Sequence, residues 1–143
     1  MAATPQEPAP NPPSARKCVL IVEDNALNMK LFSAMVSSQG YEVLQAEDGS
    51  RALDMARGRH PDLIIMDLQL PDISGLEVAR LLKAAGDTTE IPIIATTAYA
   101  MRTNEATIRA SGCDGFMAKP IAISEFLELV EALMMRGACA PVA

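Results

Sequence analysis

The chain is short of basic residues, of paired cysteines, of histidine and of any long apolar run, and each shortage removes a class of function. Twelve Lys and Arg stand against 18 Asp and Glu, for a formal net charge of -6 and a pI near 4.7. There is no basic field to gather nucleic acid or an anionic lipid surface, so neither DNA nor membrane is expected as a partner. No apolar run approaches the roughly 18 residues that cross a bilayer, and the N-terminus is proline-rich where a signal peptide has an apolar stretch. A cytoplasmic location is the expectation. Cys18, Cys113 and Cys139 are an odd number without CxxC or Cys/His metal spacing, so they read as free thiols. The one histidine, His60, precedes Pro61 in a surface loop, which argues against a kinase or phosphotransfer role for the chain itself.

What remains is an apolar, acidic chain of 143 residues, half of them hydrophobic, enough for one domain with a real core. Residues 1–16 hold five prolines and almost nothing large and apolar, a composition that cannot offset its ordering entropy, and are expected as a disordered tail. Gly137 is expected to stop the last helix and to begin a flexible C-terminal tail, 137–143. Between the tails, residues 17–136 alternate five strand candidates with five helix candidates, the pattern of an α/β fold with right-handed crossovers. The strands are Cys18 to Val22, Tyr41 to Ala46, Asp62 to Met66, Ile91 to Thr96 and Gly115 to Ala118.

The first helix begins after Asn25, a good N-cap, and ends before Gly40, with Leu27, Leu31, Ala34 and Met35 at helical spacing. The second, near Gly49 to Arg57, buries Ala52, Leu53 and Ala56. The third spans about Gly75 to Ala85, and the fourth, near Met101 to Ala110, has the weakest apolar stripe. Ser124 is placed to cap a fifth, whose face is Phe126, Leu129, Val130 and Leu133. Nine methionines read as core filler, with Met101, Met134 and Met135 able to lend plasticity to a partner surface.

The polar residues that end these apolar strands carry the chemistry. Strands buried on both faces of a parallel sheet bring their carboxyl ends to one crevice. Glu23, Asp24, Asp67, Thr97 and Lys119 then converge. Three carboxylates repel unless a divalent cation joins them, and hard oxygen ligands suit Mg²⁺. Phosphoryl transfer to a carboxylate needs such a cation, an ammonium and a hydroxyl around the transferred group, which makes Asp67 the candidate nucleophile with Lys119 and Thr97 in attendance. Each residue alone has an ordinary reading: Glu23-Asp24 favouring a helix N-terminus, Asp67 in a turn, Thr97 in a strand, Lys119-Pro120 in a turn, Phe116 in the core.

Their joint order decides. VEDN, IIMDLQLPDISG, IIATTAYAM and GFMAKPI, with intervals of 43, 30 and 22 residues from Asp24 to Asp67 to Thr97 to Lys119, resemble the receiver domain of two-component response regulators over about Lys17 to Arg136. The resemblance implies a (βα)5 flavodoxin-like, CheY-like fold, with a five-stranded parallel sheet of order 2-1-3-4-5 and helices on both faces. It implies that Asp67 is the phosphoacceptor and that Mg²⁺ is held by Asp24, Asp67 and the backbone carbonyl of Gln69, with Glu23 acting through water. It further implies that Lys119 contacts the phosphoryl group, that the Lys119–Pro120 bond is cis, and that Thr97 and Phe116 form a two-state switch. Gln69 and Tyr99 would flank the path of the water that ends the signal. The implied donor is a histidine kinase or histidine phosphotransferase. The implied output is docking onto a downstream protein through helix four, strand five and helix five, in cell-cycle or polarity control, with no enzymatic turnover beyond the domain's own phosphorylation and dephosphorylation.

Three other classes compete with this reading. A haloacid-dehalogenase type phosphatase needs a second Asp two residues after the nucleophile, where this chain has Gln69. A ligand-binding flavodoxin-like domain lacks its phosphate-cradling glycine loop and leaves the lysine and threonine unexplained. A receiver-fold scaffold indifferent to phosphorylation is the alternative that survives.

Overall fold

The computed structural model describes residues 17–98 and 105–139. Five parallel strands form one sheet in the order β2-β1-β3-β4-β5, with β1 Cys18–Val22, β2 Glu42–Ala46, β3 Leu63–Asp67, β4 Ile93–Thr97 and β5 Gly115–Ala118. The helices are α1 Ala26–Ser37, α2 Gly49–Arg59, α3 Gly75–Ala84, α4 Glu105–Ala110 and α5 Ile123–Cys139. This is the expected CheY-like, flavodoxin-like fold.

Alternation along the strands divides the core in two. Leu20, Val22, Ile64, Met66, Ile93 and Ala95 pack with residues of α2 and α3 and with Ile108 of α4. Val19, Ile21, Leu63, Ile65 and Ile94 pack on the other face with α1 and α5. Both sides of β1, β3 and β4 are therefore buried, which is why these strands read as unbroken apolar runs. Tilted rings of Phe32 and Phe126, with centroids 5.4 Å apart, join α1 to α5.

Most boundaries fall where the local chemistry puts them. Asn25 caps α1 by accepting the Asn28 N–H at 2.9 Å, Asp48 caps α2 from Arg51, and Ser74 caps α3 from Leu76. α2 runs two residues beyond its expected end, to Arg59, and His60 closes it in the left-handed conformation with φ of 48°, exposed and ahead of β3. β4 starts at Ile93 rather than Ile91, because Pro92 has no N–H to give the ladder. β3 starts and ends one residue later than expected, taking Asp67 into the strand, and β2 begins at Glu42 rather than Tyr41.

Four expectations are corrected. Leu27 and Leu31 are 74% and 50% exposed, while Met29, Phe32, Met35 and Val36 face the sheet. Both stripes of α1 are apolar, and the one with the aromatic ring buries more area. Ser124 is not the cap of α5: the helix starts at Ile123, and the Phe126 N–H already bonds the Ala122 carbonyl. Gly137 does not stop α5, which runs through it to Cys139, since one glycine costs a helix only about 1 kcal/mol. Met134 is buried in the α1/α5 core and offers nothing to a partner, whereas Met135 is 59% exposed. The N-terminal tail 1–16, residues 140–143, Tyr99 and Met101 lie outside the described residues.

Cys18 and Cys113 are free thiols. Burial, reinforced by the charges of Glu42 and Asp62, pushes the Cys18 thiol up to about 11. At pH 8 only about a thousandth of it is thiolate, against about a quarter of an ordinary cysteine. Alkylation of Cys18 by iodoacetamide, followed by peptide mass spectrometry, should therefore run about a hundredfold slower in the folded protein than in urea. Comparable rates would contradict this burial.

Candidate functional site

Strand register assembles the site. Val22 pairs with Met66, Asp67 with Thr96, and Thr97 with Ala118, so the residues at the ends of β1, β3, β4 and β5 share one edge of the sheet. After β1 the chain crosses to β2 on one side and later to β3 on the other, and the crevice at that reversal is where ligands bind in open α/β sheets.

Lys119 draws the acidic pair together. Its Nζ donates to Glu23 Oε1 at 3.0 Å and to Asp67 Oδ2 at 3.2 Å, across 96 and 52 residues of chain. Glu23 is 1% and Asp67 3% exposed, so this ammonium is the counter-charge that lets two buried carboxylates coexist. Burial raises the pKa of Glu23 and the charge of Asp67 adds to that, while the hydrogen bond from Lys119 opposes it. For Lys119, burial works against the charge, but the bond from Glu23 and the charge of Asp67 outweigh it and hold the pKa above the usual lysine value. Asp67 Oδ1 takes the Gln69 N–H at 3.0 Å, and Glu23 Oε2 takes the Asn25 N–H at 3.2 Å.

Asp24 is exposed beside them. Carboxylate oxygens of Glu23, Asp24 and Asp67 all lie within 4.8 Å of one another. This is a hard-oxygen donor set that fits Mg²⁺ in type and spacing. An open crevice of about 580 Å³, bordered by Glu23, Asp24, Met29, Lys30, Gln45 and Glu47, adjoins it.

Thr97 is buried at the end of β4, and Phe116 lies half-buried on the face that carries Ile108. Thr96, also buried and in register with Asp67, has a hydroxyl with no hydrogen-bond partner among the described residues. The Lys119–Pro120 peptide is cis. All the anticipated site residues that are described thus stand at one end of the sheet.

The residues that shape the β3–α3 loop leave less trace in the sequence. Asp72 accepts the N–H groups of Gly49 and Ser50 at 2.8 and 3.0 Å and the Ser50 hydroxyl at 3.0 Å, pinning this loop to the start of α2. The hydrogen bond from Gly49 leads in holding its carboxyl well below the usual carboxylate range. Pro71-Asp72 signals a turn, but its partner 23 residues upstream leaves no local trace. At Gly75 a Cβ would run into the Asp67 carbonyl oxygen and lie 2.9 Å from the Leu68 Cα. On the amino-terminal side of the sheet, Lys83 bonds the Ile91 carbonyl at 2.7 Å and Asp114 at 3.1 Å, clasping the loops before β4 and β5.

Comparison with known proteins agrees with this geometry. The chain is 48% identical over 118 residues to the polar-differentiation response regulator DivK of Brucella ovis, covering 82% of this chain and 96% of that protein. The receiver domain of sensor histidine kinase PA1611 from Pseudomonas aeruginosa PAO1, solved with a magnesium ion coordinated in its active site cleft, superposes with a TM-score of 0.78. It is 32% identical, covering 84% of this chain and 98% of that one. A CheY-like receiver domain from Methanospirillum hungatei JF-1 shares the fold with a TM-score of 0.81 at 23% identity, covering 87% and 98% of the two chains. The response regulator receiver domain model matches residues 19–131, from β1 into α5 and including each strand end that carries the acidic cluster, the threonine and the lysine, and this chain belongs to that family.

Proposed function

We propose that the chain is a phosphorylation-controlled interaction module in which Asp67 accepts a phosphoryl group from the phosphohistidine of a histidine kinase or phosphotransferase. A kinase or phosphotransferase partner follows from membership of the family. The observation that carries the reading is the half-buried Lys119 ammonium held between the buried carboxylates of Glu23 and Asp67, with Asp24 open to solvent beside them. A structural ion pair needs one acid; a third carboxylate at the mouth is what a phosphoryl site with a cation requires.

In the transfer, an Asp67 carboxylate oxygen attacks phosphorus in line as the P–N bond to the donor imidazole breaks. The bonding pair stays on the ring nitrogen, which takes a proton, and an aspartyl phosphate results. Lys119 is already 3.2 Å from Asp67 Oδ2 and neutralises charge that builds on the transferred group, with Glu23 holding the ammonium in place. Asp24, Asp67 and the backbone carbonyl of Gln69 are the residues that would hold Mg²⁺. Glu23 has both oxygens engaged by Lys119 and Asn25, which suits a supporting part through water. Bound there, Mg²⁺ supplies positive charge to the phosphoryl oxygens. Thr97 then turns toward the phosphoryl group, and Phe116 follows inward.

Output is assigned to the face of α4, β5 and α5. The described part of α4 is six residues long with Ile108 as its buried anchor, and an element held so lightly shifts readily. The relative from Brucella ovis is itself about the size of this domain, which supports signalling by docking onto another protein, in cell-cycle or polarity control. The domain is not a turnover enzyme on this reading; it catalyses only its own phosphorylation and dephosphorylation. Among the described residues no helix is long and apolar enough to cross a membrane.

The test is transfer from a phosphorylated histidine phosphotransfer domain, followed by loss of label from the donor. Transfer within minutes with Mg²⁺ and at least about a hundredfold slower in EDTA is expected. No transfer in either condition, with partner binding intact, would replace the proposal by the constitutive scaffold.

A further inference from the structure

The Gln69 side chain does something that neither metal binding nor the acceptor chemistry requires. Its amide reaches from the β3–α3 loop to the end of β4, where Nε2 lies 3.1 Å and Oε1 3.2 Å from the Thr97 hydroxyl. Oε1 also receives the Ala98 backbone N–H at 3.4 Å. One amide thus engages the hydroxyl and covers the next N–H. These are two donors at the end of the strand next to Asp67, and a phosphoryl group on Asp67 could recruit them only after they leave Gln69. The same residue's own N–H bonds Asp67 Oδ1 at 3.0 Å, so the acceptor and the groups that would answer it are gripped by one residue.

We propose that the Gln69 side chain is a latch that holds Thr97 and Ala98 in the resting arrangement, so that phosphorylation must release it before the switch can turn. The inference rests on the phosphoacceptor role of Asp67 for its consequence, but the latch itself is a property of the resting protein. Gln69 acts through Thr97 and Ala98 and is a positioning residue. Side-chain length is decisive: Asn at this position is one methylene shorter and cannot span the gap with the backbone held by the Asp67 bond, while Met fills the space of Gln without an amide.

The test compares wild type, Gln69→Met and Gln69→Asn by NMR in the full chain, first at rest and then with Mg²⁺ and beryllofluoride as a mimic of the aspartyl phosphate. At rest both variants should exchange the Ala98 amide with solvent faster than wild type and shift the Thr97 methyl signal. With beryllofluoride both should bind about three- to tenfold more tightly, because the bonds lost from the resting state no longer oppose the switch. Unchanged resting signals at Thr97 and Ala98 would overturn the latch, whatever happens on activation. Altered resting signals with unchanged or weaker beryllofluoride binding would overturn its energetic role. If wild type itself fails to bind beryllofluoride, the phosphoacceptor reading falls, and the resting signals alone decide the latch.

Discussion

Lys119→Met is expected to damage both stability and phosphoryl transfer. Nζ of Lys119 satisfies Glu23 and Asp67, which are 1% and 3% exposed, and methionine keeps the volume while removing the charge. Breaking a buried ion pair commonly costs about 3–5 kcal/mol, and the loss here should be about 2–3 because Glu23 can take up a proton. The sign with pH follows from that proton. Burial already raises the Glu23 pKa, and removing the ammonium raises it further, so the deficit should be largest near pH 8 and shrink toward pH 5 as the carboxyl becomes neutral. Urea unfolding in metal-free buffer at the two pH values measures it; a deficit that grows on acidification would be the wrong sign. Transfer to Asp67 should slow by about 10²–10³, the usual effect of deleting one preorganised charge partner.

Gly75→Ala is the second large effect, and it comes from the backbone. The new Cβ would strike the Asp67 carbonyl oxygen and sit 2.9 Å from the Leu68 Cα. These are main-chain atoms of the acceptor's own strand end, and they cannot swing aside as a side-chain tip can. Overpacking of this kind costs about 3 kcal/mol, or about 10 °C in Tm for a domain of this size. Whatever relief occurs displaces Asp67, so phosphorylation should fall along with stability. Gly58→Ala is the control. Nothing lies within 4 Å of its added methyl, and Ala suits a helix better than Gly, so Tm should hold or rise slightly. Equal Tm for Gly75→Ala and wild type would refute the close approach.

These two sites also mark what could and could not be read in the chain. The strands were legible because Leu63 to Met66 and Ile93 to Ala95 are apolar at every position, as burial on both faces demands. Acid, hydroxyl and ammonium at strand ends then followed from topology. The face of α1 was not legible, since Leu27 and Leu31 compete with Met29 and Phe32 at the same period. Nor was the end of α5, where docking through Phe126, Val130 and Leu133 carries the helix past a glycine that would end a free one. Side-chain reach between loops leaves no periodic signal at all: Asp72 on the start of α2 and the Gln69 amide on Thr97 depend on loop geometry that only the folded chain displays. Gln69 was expected beside the path of attacking water. Its resting amide is turned onto Thr97, while Tyr99, its expected companion, lies outside the described residues.

The most direct measurement is the intact mass of wild type and Asp67→Asn after incubation with acetyl phosphate and Mg²⁺. Wild type should gain one phosphoryl group with Mg²⁺ present and none when Mg²⁺ is chelated before the donor is added, and Asp67→Asn should gain none in either condition. No mass gain in wild type, or the same gain in Asp67→Asn, would contradict the assignment of Asp67 as the acceptor.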